Sequence, residues 1–464
     1  MVKKYVLLLP EASPSPSQGG ATEQDLADQL QRDQIMKVNA DLHACLSVCK
    51  NRIGSSGSSS SSSSSAVRQW NLFKRYTNEY ELIHTGSRTL PGLSQHVPIS
   101  RSFFKLWEIL NDYGDAEMAL GGSAPLTAAF LAEGPGGFVE SFAMWRQSVL
   151  LASSSSIVAE PGTAGTAGTA GTAGTAGTAG TAAAPQDALH CITLVSARRS
   201  VPSWKLGTLR RLGARVRVHS GADGTGDLYR PANISSFVEA CGGAGSCALV
   251  TADGGFDFSG DFNAQEDTSL RLVASQAYAA LRLQRPGGAL VLKLFDMACV
   301  ETLAVLQVLR QSYSAVRLVK PLSSRPANSE RYALCTGFVG APAEAMSALA
   351  ATLSHQSTAP LKAMYCARPA PLPFLRAVVE YNAAHVARQA SYIVRTLVLL
   401  GGGDRGSGSP NAAAHATTAA APVTRKHTLL HRQLSKSLRW CHKYRVPITT
   451  AVLRDFRSRL LSDV

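Results

Sequence analysis

The chain alternates short apolar runs with segments whose apolar residues return every three or four positions. The runs at 190–195, 214–219, 247–251, 289–295 and 332–339 have the length and β-branched content of buried strands. Between them, 205–212, 234–240, 268–283 and 300–312 have helical spacing. Strands that alternate with helices predict an α/β fold with a mostly parallel sheet and helices on both faces. One more apolar run enters a glycine-rich turn in AFLAEGPGGFVESF, residues 129–142, and leaves as a helix near Phe138. Gly134, Gly136 and Gly137 permit a tight turn and close approach of a ligand, while free N–H groups of the helix point into it. Ligands bind at the carboxyl ends of strands in such sheets. The turn is therefore a candidate cofactor site, and polar residues at the other strand ends are candidates for chemistry.

Outside this block the pattern changes. Thr22 is an N-cap candidate for a helix in which Leu26, Leu30, Val38, Leu42, Cys45 and Cys49 share one face. Residues 100–110, SRSFFKLWEIL, space Phe103, Phe104, Leu106, Trp107 and Leu110 as a helix, and 373–400 also read as helical. Near the end, Leu430, Leu434, Leu438 and Cys441 share a face that leaves Arg432, Lys436, Arg439 and Lys443 outside. Low-complexity segments separate these elements: Pro, Ser and Gly at 10–21, nearly pure serine at 54–65, Gly-Thr-Ala repeated seven times at 162–182, and Gly, Ala and Thr at 401–424. Such segments cannot bury enough apolar surface to fold. The expected organisation is an N-terminal helix and linker at 1–66, an α/β domain at 67–342 carrying the repeat as an insertion, and a C-terminal helical region at 343–464 with a basic end.

Composition then narrows the partners. The 464 residues, 45% hydrophobic, suffice for one large domain with accessory segments. A formal charge of +14 points to a polyanionic partner, of which nucleic acid is favoured. Nine cysteines, an odd number without Cys-x-x-Cys spacing, indicate a reducing compartment and no zinc. The apolar stretch before Pro10 is short of a signal-peptide core, and no run approaches the roughly 20 apolar residues of a membrane helix. The expectation is a soluble intracellular protein without a membrane partner.

Four ionisable residues stand in settings that suit catalysis: Lys105 in FFKLWE, Asp253 ending LVTAD, Lys293 within LVLKLF, and Glu330 in RPANSERY. A lysine inside an apolar, β-rich run is costly to bury unless paired or neutral, so Lys293 is either a functional amine or a side chain reaching out from an edge strand. The acids Asp253, Asp257, Asp261 and Glu266 do not make an EF-hand. Phe262 stands where such a loop requires glycine and Thr268 where it requires glutamate. No metal is expected, and these acids are read as shaping a substrate site.

In order, SRSFFKLWEI, EGPGGF, TADGGFD, PGGALVLKLF and KPLSSRPANSERY are similar to the FtsJ-like family of S-adenosylmethionine-dependent RNA ribose 2′-O-methyltransferases, over about residues 74–340. SRPANSERY together with TNEYE at 77–81 most resembles the Adrift-type messenger-RNA cap methyltransferases and their relatives in large DNA viruses. The resemblance implies a Rossmann-like methyltransferase domain, S-adenosylmethionine as cofactor, and the capped 5′ end of mRNA as substrate. It implies a catalytic tetrad of Lys105, Asp253, Lys293 and Glu330, with Lys293 as base, the two acids orienting the lysines and hydroxyl, and Lys105 holding the substrate backbone. It implies cofactor contacts at Gly134, Gly136, Gly137, Phe138, Asp227 and Asp253, Asp227 matching the acid that contacts adenine. Strand two departs from the fold's habit: ITLVSARRS lacks an acid for the cofactor ribose and offers only Thr193 and Ser196. The resemblance also favours the nucleus over the cytoplasm.

Two alternatives stand beside this reading, a ribosomal or transfer RNA ribose methyltransferase and a catalytically silent RNA-binding relative. The intact tetrad speaks against the second, and the long flanking helices against a minimal ribosomal type. Specificity is expected from loops at 76–80, 257–266 and 323–328. Tyr76 and Tyr80 are stacking candidates, Lys74, Arg75, Arg101 and Arg325 are phosphate candidates, and Phe103 and Trp107 are expected to pack the helix that carries Lys105. The basic C-terminal helix is either a packed helix with a solvated side or an RNA contact.

Overall fold

The computed structural model describes residues 6–10, 23–55, 63–84, 92–157, 186–198, 201–212, 214–258, 260–401 and 422–454. Thr22, the Gly-Thr-Ala repeat at 162–182 and most of the linkers expected at 10–21, 54–65 and 401–424 lie outside the described residues.

Eight strands make one sheet: β1 (Val6–Leu8), β2 (Thr127–Leu131), β3 (Ala188–Ile192), β4 (Arg215–His219), β5 (Cys247–Ala252), β6 (Gln284–Leu294), β7 (Tyr313–Val319) and β8 (Arg331–Phe338). Their spatial order is β1-β7-β8-β6-β5-β2-β3-β4. From β6 to β4 every pairing is parallel, whereas β8 runs antiparallel to both β6 and β7, and β1 antiparallel to β7. All six positions of β5 are buried, as a strand covered on both faces requires. The alternation is visible in the packing: Ala129, Leu131 and Val250 join one core, while Ala128, Phe130 and Leu249 join the other. This is a Rossmann-like fold, as expected. From β2 the chain steps outward to β3 and β4, then returns to β5 on the other side of β2, which opens a crevice at the carboxyl ends of β2 and β5.

The helices among the described residues are α1 (Glu23–Ser55), α2 (Ser63–Thr77), α3 (Ser102–Tyr113), α4 (Gly137–Ile157), α5 (Leu206–Leu209), α6 (Pro231–Ala240), α7 (Gln265–Leu283), α8 (Val300–Ser312), α9 (Ala343–Ser354), α10 (Ala359–Ala367), α11 (Leu372–Gly401) and α12 (Pro422–Lys443). None is long and apolar enough to cross a membrane. The helix expected at 205–212 contracts to the single turn α5. Two strands, β1 and β7, escaped the sequence reading. The first is three residues long, and α8 passes into β7 at Ser312–Tyr313 with no glycine or proline to mark the change.

The expected apolar face of α1 is a correction. Leu26, Leu30 and Val38 are 63%, 59% and 52% exposed, whereas Asn39, His43, Leu46, Lys50 and Ile53 form the buried stripe. A polar stripe is buried because it is bonded. Lys50 Nζ lies 2.7 Å from Asp296 Oδ2, and Asn39 Nδ2 donates to the Met297 carbonyl at 2.9 Å. Asn382 of α11 donates to Asn39 Oδ1 and to the same carbonyl, and Arg331 donates to Asn382 Oδ1. Thus α1 and α11 are fastened to the end of β6 and the start of β8 by polar groups that a hydrophobicity pattern counts as surface.

His43 and His385 sit in this network, each with an Nε2 that has no hydrogen-bond partner among the described residues. Burial lowers both pKa values, with Arg331 adding to the effect, and brings His43 to about 4. The unfolded chain takes up protons at these rings below pH 6.5 while the folded chain does not, so stability present above pH 6.5 is lost as the pH falls towards about 4. Calorimetry is expected to show the melting temperature falling more steeply over that window in the wild type than in a His43→Gln, His385→Gln variant. Parallel curves would contradict the assignment.

Candidate active site

Lys293 lies on β6 between β5 and β8, an interior position from which its amine cannot reach round a sheet edge, and it is 8% exposed. Its Nζ donates to the Asp253 carbonyl at 2.6 Å and stands 3.2 Å from Asp253 Oδ1. That Oδ1 also accepts the Tyr332 hydroxyl at 2.8 Å. Tyr332 is there because it is the direct cross-strand partner of Lys293 in the β6–β8 register. A Cβ at Gly255 would stand 3.0 Å from the Lys293 amine, so a glycine leaves it room.

Glu330 precedes β8 and accepts Lys105 Nζ from α3 at 2.6 Å on one oxygen and the Ser324 hydroxyl at 2.8 Å on the other. Lys320 Nζ binds its backbone carbonyl at 2.6 Å. Burial alone would push the Glu330 carboxyl up, but Lys105, then Lys293 and Lys320, hold it well below the ordinary glutamate value. The structure therefore brings Lys105, Asp253, Lys293 and Glu330 together as two lysine–carboxylate pairs at one end of the sheet.

The glycine turn after β2 closes the adjoining crevice. Gly136 has φ +114°, and a Cβ there would press on both Leu209 methyls at 3.1 Å. Side chains at Gly134 and Gly137 would run into the Pro202 carbonyl and into the Ser100 and Ser102 hydroxyls. The first turn of α4 directs its N–H groups into the crevice. Phe138 is buried and its ring packs 6.0 Å from that of Tyr332, so the side chain belongs to the floor of the crevice. Asp227 accepts the Tyr229 N–H at 2.9 Å. Its loop lies on the end of β3, where a Cβ at Gly226 would run into the Thr193 carbonyl and one at Gly134 would stand 3.4 Å from Thr193 Cγ2. Asp227 and the glycine turn thus flank the same strand end. Ser196 accepts the Arg198 N–H at 3.1 Å.

Glu133, at the end of β2, is the residue the sequence reading missed here. It is 5% exposed, its Oε1 accepts the Asp253 N–H at 3.2 Å, and its Oε2 has no hydrogen-bond partner among the described residues. Burial first, then the neighbouring Asp253 charge, raises its pKa well above the ordinary value. An acid between two diverging strand ends was legible from its position beside the turn.

On the other side of the tetrad, Trp70, Phe258, Phe262, Lys74, Asp257 and Arg325 line a cleft of about 220 Å³. Phe258 packs 5.0 Å from Phe295, whose ring lies 5.6 Å from Lys293 Nζ. Arg325 belongs to the loop that carries Ser324 and Glu330. Arg101 and Arg325, both expected to meet phosphate, converge on Glu81 at 2.7 Å each. Burial would raise the Glu81 pKa, but Arg101 and Arg325 bring it down to about 2. Lys74 is lowered to about 8, by burial and then by Arg325. The stacking candidate Tyr80 is a correction: it is buried at 5% exposure, and Tyr76 packs with it against α12. Phe258 and Phe262, both half-buried, line the cleft instead, and Trp70, 2% exposed, packs in the apolar cluster that Phe262 joins. Glu266, expected to shape this site, is spent on the start of α8, where it accepts the N–H groups of Ala298 and Cys299 and the Thr302 hydroxyl.

The helix carrying Lys105 is itself held from behind. Glu108, fully buried, accepts the Leu322 and Ser323 N–H groups at 2.9 and 3.1 Å and Trp440 Nε1 of α12 at 2.9 Å. Trp107, stacked on Phe103 as expected of packing residues, donates to the Tyr444 carbonyl at 3.0 Å. On α12, Lys436 and Arg432 pair with Glu79, and Lys443 with Asp112. The basic C-terminal helix is a packed buttress through these groups.

Residues 192–338 match the model of the FtsJ-like methyltransferase family, a stretch that contains Asp227, Asp253, Lys293 and Glu330. That segment is similar to the FtsJ-like methyltransferases. The chain is 47% identical over 124 residues to cap-specific mRNA (nucleoside-2′-O-)-methyltransferase 1 of Trypanosoma brucei brucei, covering 26% of this chain and 33% of that protein. The proteins of the same name from Danio rerio and Homo sapiens are 42% and 40% identical over 121 residues, covering 25% of this chain and 14% of theirs. The match thus spans a third or less of these relatives. Lys105, the glycine turn and the α12 buttress lie outside the segment matched to the FtsJ-like family and are joined to it by the contacts above.

Glu108 could not be found from sequence, because its partners lie 214 to 332 positions away. Trp440→Phe removes a donor from this buried carboxylate and is expected to cost about 1–3 kcal/mol, read as a lower melting temperature. A double-mutant cycle with Glu108→Gln checks the bond: the two losses should be less than additive. Full additivity would show that the two side chains do not interact.

Proposed function

We propose that this chain transfers a methyl group from S-adenosylmethionine to the 2′-hydroxyl of a cap-proximal ribose in messenger RNA. The supporting observation is the placement of the two lysine–carboxylate pairs between a crevice shaped for a small cofactor and a cationic, aromatic cleft. The crevice suits S-adenosylmethionine on a ground independent of the resemblance. Glu133 Oε2 is buried without a partner among the described residues, and a ligand ammonium would supply both the missing donor and the charge that favours the carboxylate. Glu133, the Gly137 N–H and Asp227 would hold the cofactor, while the Gly136 N–H closes the turn on the Glu133 carbonyl at 2.8 Å. When bound, it supplies a sulfonium methyl group that is already a strong electrophile, so the protein's task is alignment and proton removal.

Lys293 donates to the Asp253 carbonyl and lies 3.2 Å from its Oδ1, so Asp253 fixes one side of the amine and the other side faces the ribose hydroxyl. Tyr332 fixes Asp253 and so fixes that direction. Lys105, anchored by Glu330, places a cation beside the substrate backbone. In the cleft, Phe258 and Phe262 offer π faces and Asp257 an acid for a positively charged methylguanine, while Lys74 and Arg325 face its phosphates.

Lys293→Ala is expected to lower turnover about 10²–10⁴-fold, as loss of a general base does, with cofactor affinity by calorimetry unchanged. Wild-type turnover would remove Lys293 from the mechanism. The substrate is tested with one short RNA bearing a methylguanosine cap, an unmethylated cap or a bare triphosphate, with the modified nucleotide mapped in each product. The expected order is a clear preference for the methylated cap, reduced by Phe258→Ala. Equal activity on all three would defeat the cap assignment and leave ribose methylation standing.

A further inference from the structure

We propose that the β3–α5–β4 edge of the sheet is a binding track for the single-stranded RNA body that follows the modified nucleotide. This rests on the RNA-methylation reading above and adds a surface to it. Between Asp187 and Asp223 the chain has seven Lys or Arg and no acid, so half of the formal net charge of +14 is concentrated in one short segment. Six of these cations are described, Arg198, Lys205, Arg210, Arg211, Arg215 and Arg217, and all are exposed. Among the described residues none of them forms an ion pair with a carboxylate. The two flanking acids are already committed. Asp187 holds the buried Arg146 at 2.9 Å, and Asp223 pairs with Arg230 at 3.2 Å and accepts the Thr225 hydroxyl.

The topology spreads these charges over one edge. Among the described residues β4 pairs only with β3, which leaves its outer side without a strand partner there. Arg215 and Arg217 share the sheet face of His219, whose ring meets Phe237 of α6. Arg210 and Arg211 follow α5, whose Leu209 packs into the core on the opposite face, beside Phe138 and Phe142 of α4. The cations therefore wrap both sides of the edge. Exposed apolar groups lie among them: Leu194 at 43%, Val195 at 60%, Leu206 at 41% and Val218 at 39%. Cations interleaved with apolar surface match a polyanion that also presents flat apolar faces, which is the character of unpaired RNA. The track begins beside the cofactor turn, where the Lys205 N–H binds the Pro135 carbonyl at 3.1 Å. β4 stands three strands from β5, roughly 15 Å at about 4.8 Å per strand, a gap that a few nucleotides cross.

The test uses the full chain and an Arg210→Ala, Arg211→Ala, Arg215→Ala, Arg217→Ala variant, with the corresponding four Arg→Lys changes as a control that keeps charge. Affinity for capped RNAs of about four and about twenty nucleotides is measured by fluorescence anisotropy at several salt concentrations. Each lost phosphate contact should reduce the slope of log affinity against log salt by about 0.7. The expected result is a smaller slope and an affinity for the long RNA weakened by about tenfold or more in the alanine variant, retention in the lysine variant, and no change with the short RNA. Equal effects on both lengths, an unchanged slope, or competition by polyglutamate as effective as by uncapped RNA would overturn the proposal. The binding measurement reads out even where no methyl transfer is detected, so failure of the track and failure of the enzymatic reading are distinguishable.

Discussion

A carboxylate taken out of water must be paired with a cation, bonded to several donors or protonated, and the carboxyl-terminal edge of this sheet buries Glu81, Glu108, Glu133, Glu266, Asp296 and Glu330 together. Each finds a different solution. Glu81 and Glu330 are clasped by arginines and lysines, Glu108 and Glu266 by backbone N–H groups and side-chain donors, Asp296 by Lys50 and Arg331, and Glu133 keeps an oxygen that is unbonded among the described residues. Removing one partner would strand a charge, so the loops bearing these groups are held in one arrangement. The geometry of the tetrad follows from that rigidity.

The same constraint explains why helices far from the tetrad in sequence are part of its support. Through Asp296 and Met297, α1 and α11 grip the end of β6, the strand that carries Lys293. Through Glu108, α12 grips both α3, which carries Lys105, and the loop that leads to Glu330. The segment matched to the FtsJ-like family supplies three of the four tetrad residues, and the surrounding helices bring the fourth to them.

The sheet also separates its tasks in space. The crevice between β2 and β5 lies where strand order reverses, the aromatic cleft lies beyond β6, and the basic edge lies at β4. Sites that act together need neighbouring strand ends, and a parallel sheet provides these at intervals of about 4.8 Å.

By itself the sequence determined the alternation of strands and helices, the strand–turn–helix at Gly134–Phe138, and the candidacy of Lys105, Asp253, Lys293 and Glu330. These were legible because each depends on local spacing or on a charge set in an apolar run. The resemblance tied the four together; only the tertiary structure decided how. Cross-strand register placed Tyr332 on Asp253, burial left one Glu133 oxygen without a partner among the described residues, and packing buried Tyr80 while Phe258 and Phe262 came to line the cleft. The polar stripe of α1 and the Trp440–Glu108 bond were illegible for one reason. A polar side chain is buried only where a partner awaits it, and those partners lie hundreds of residues away in the chain.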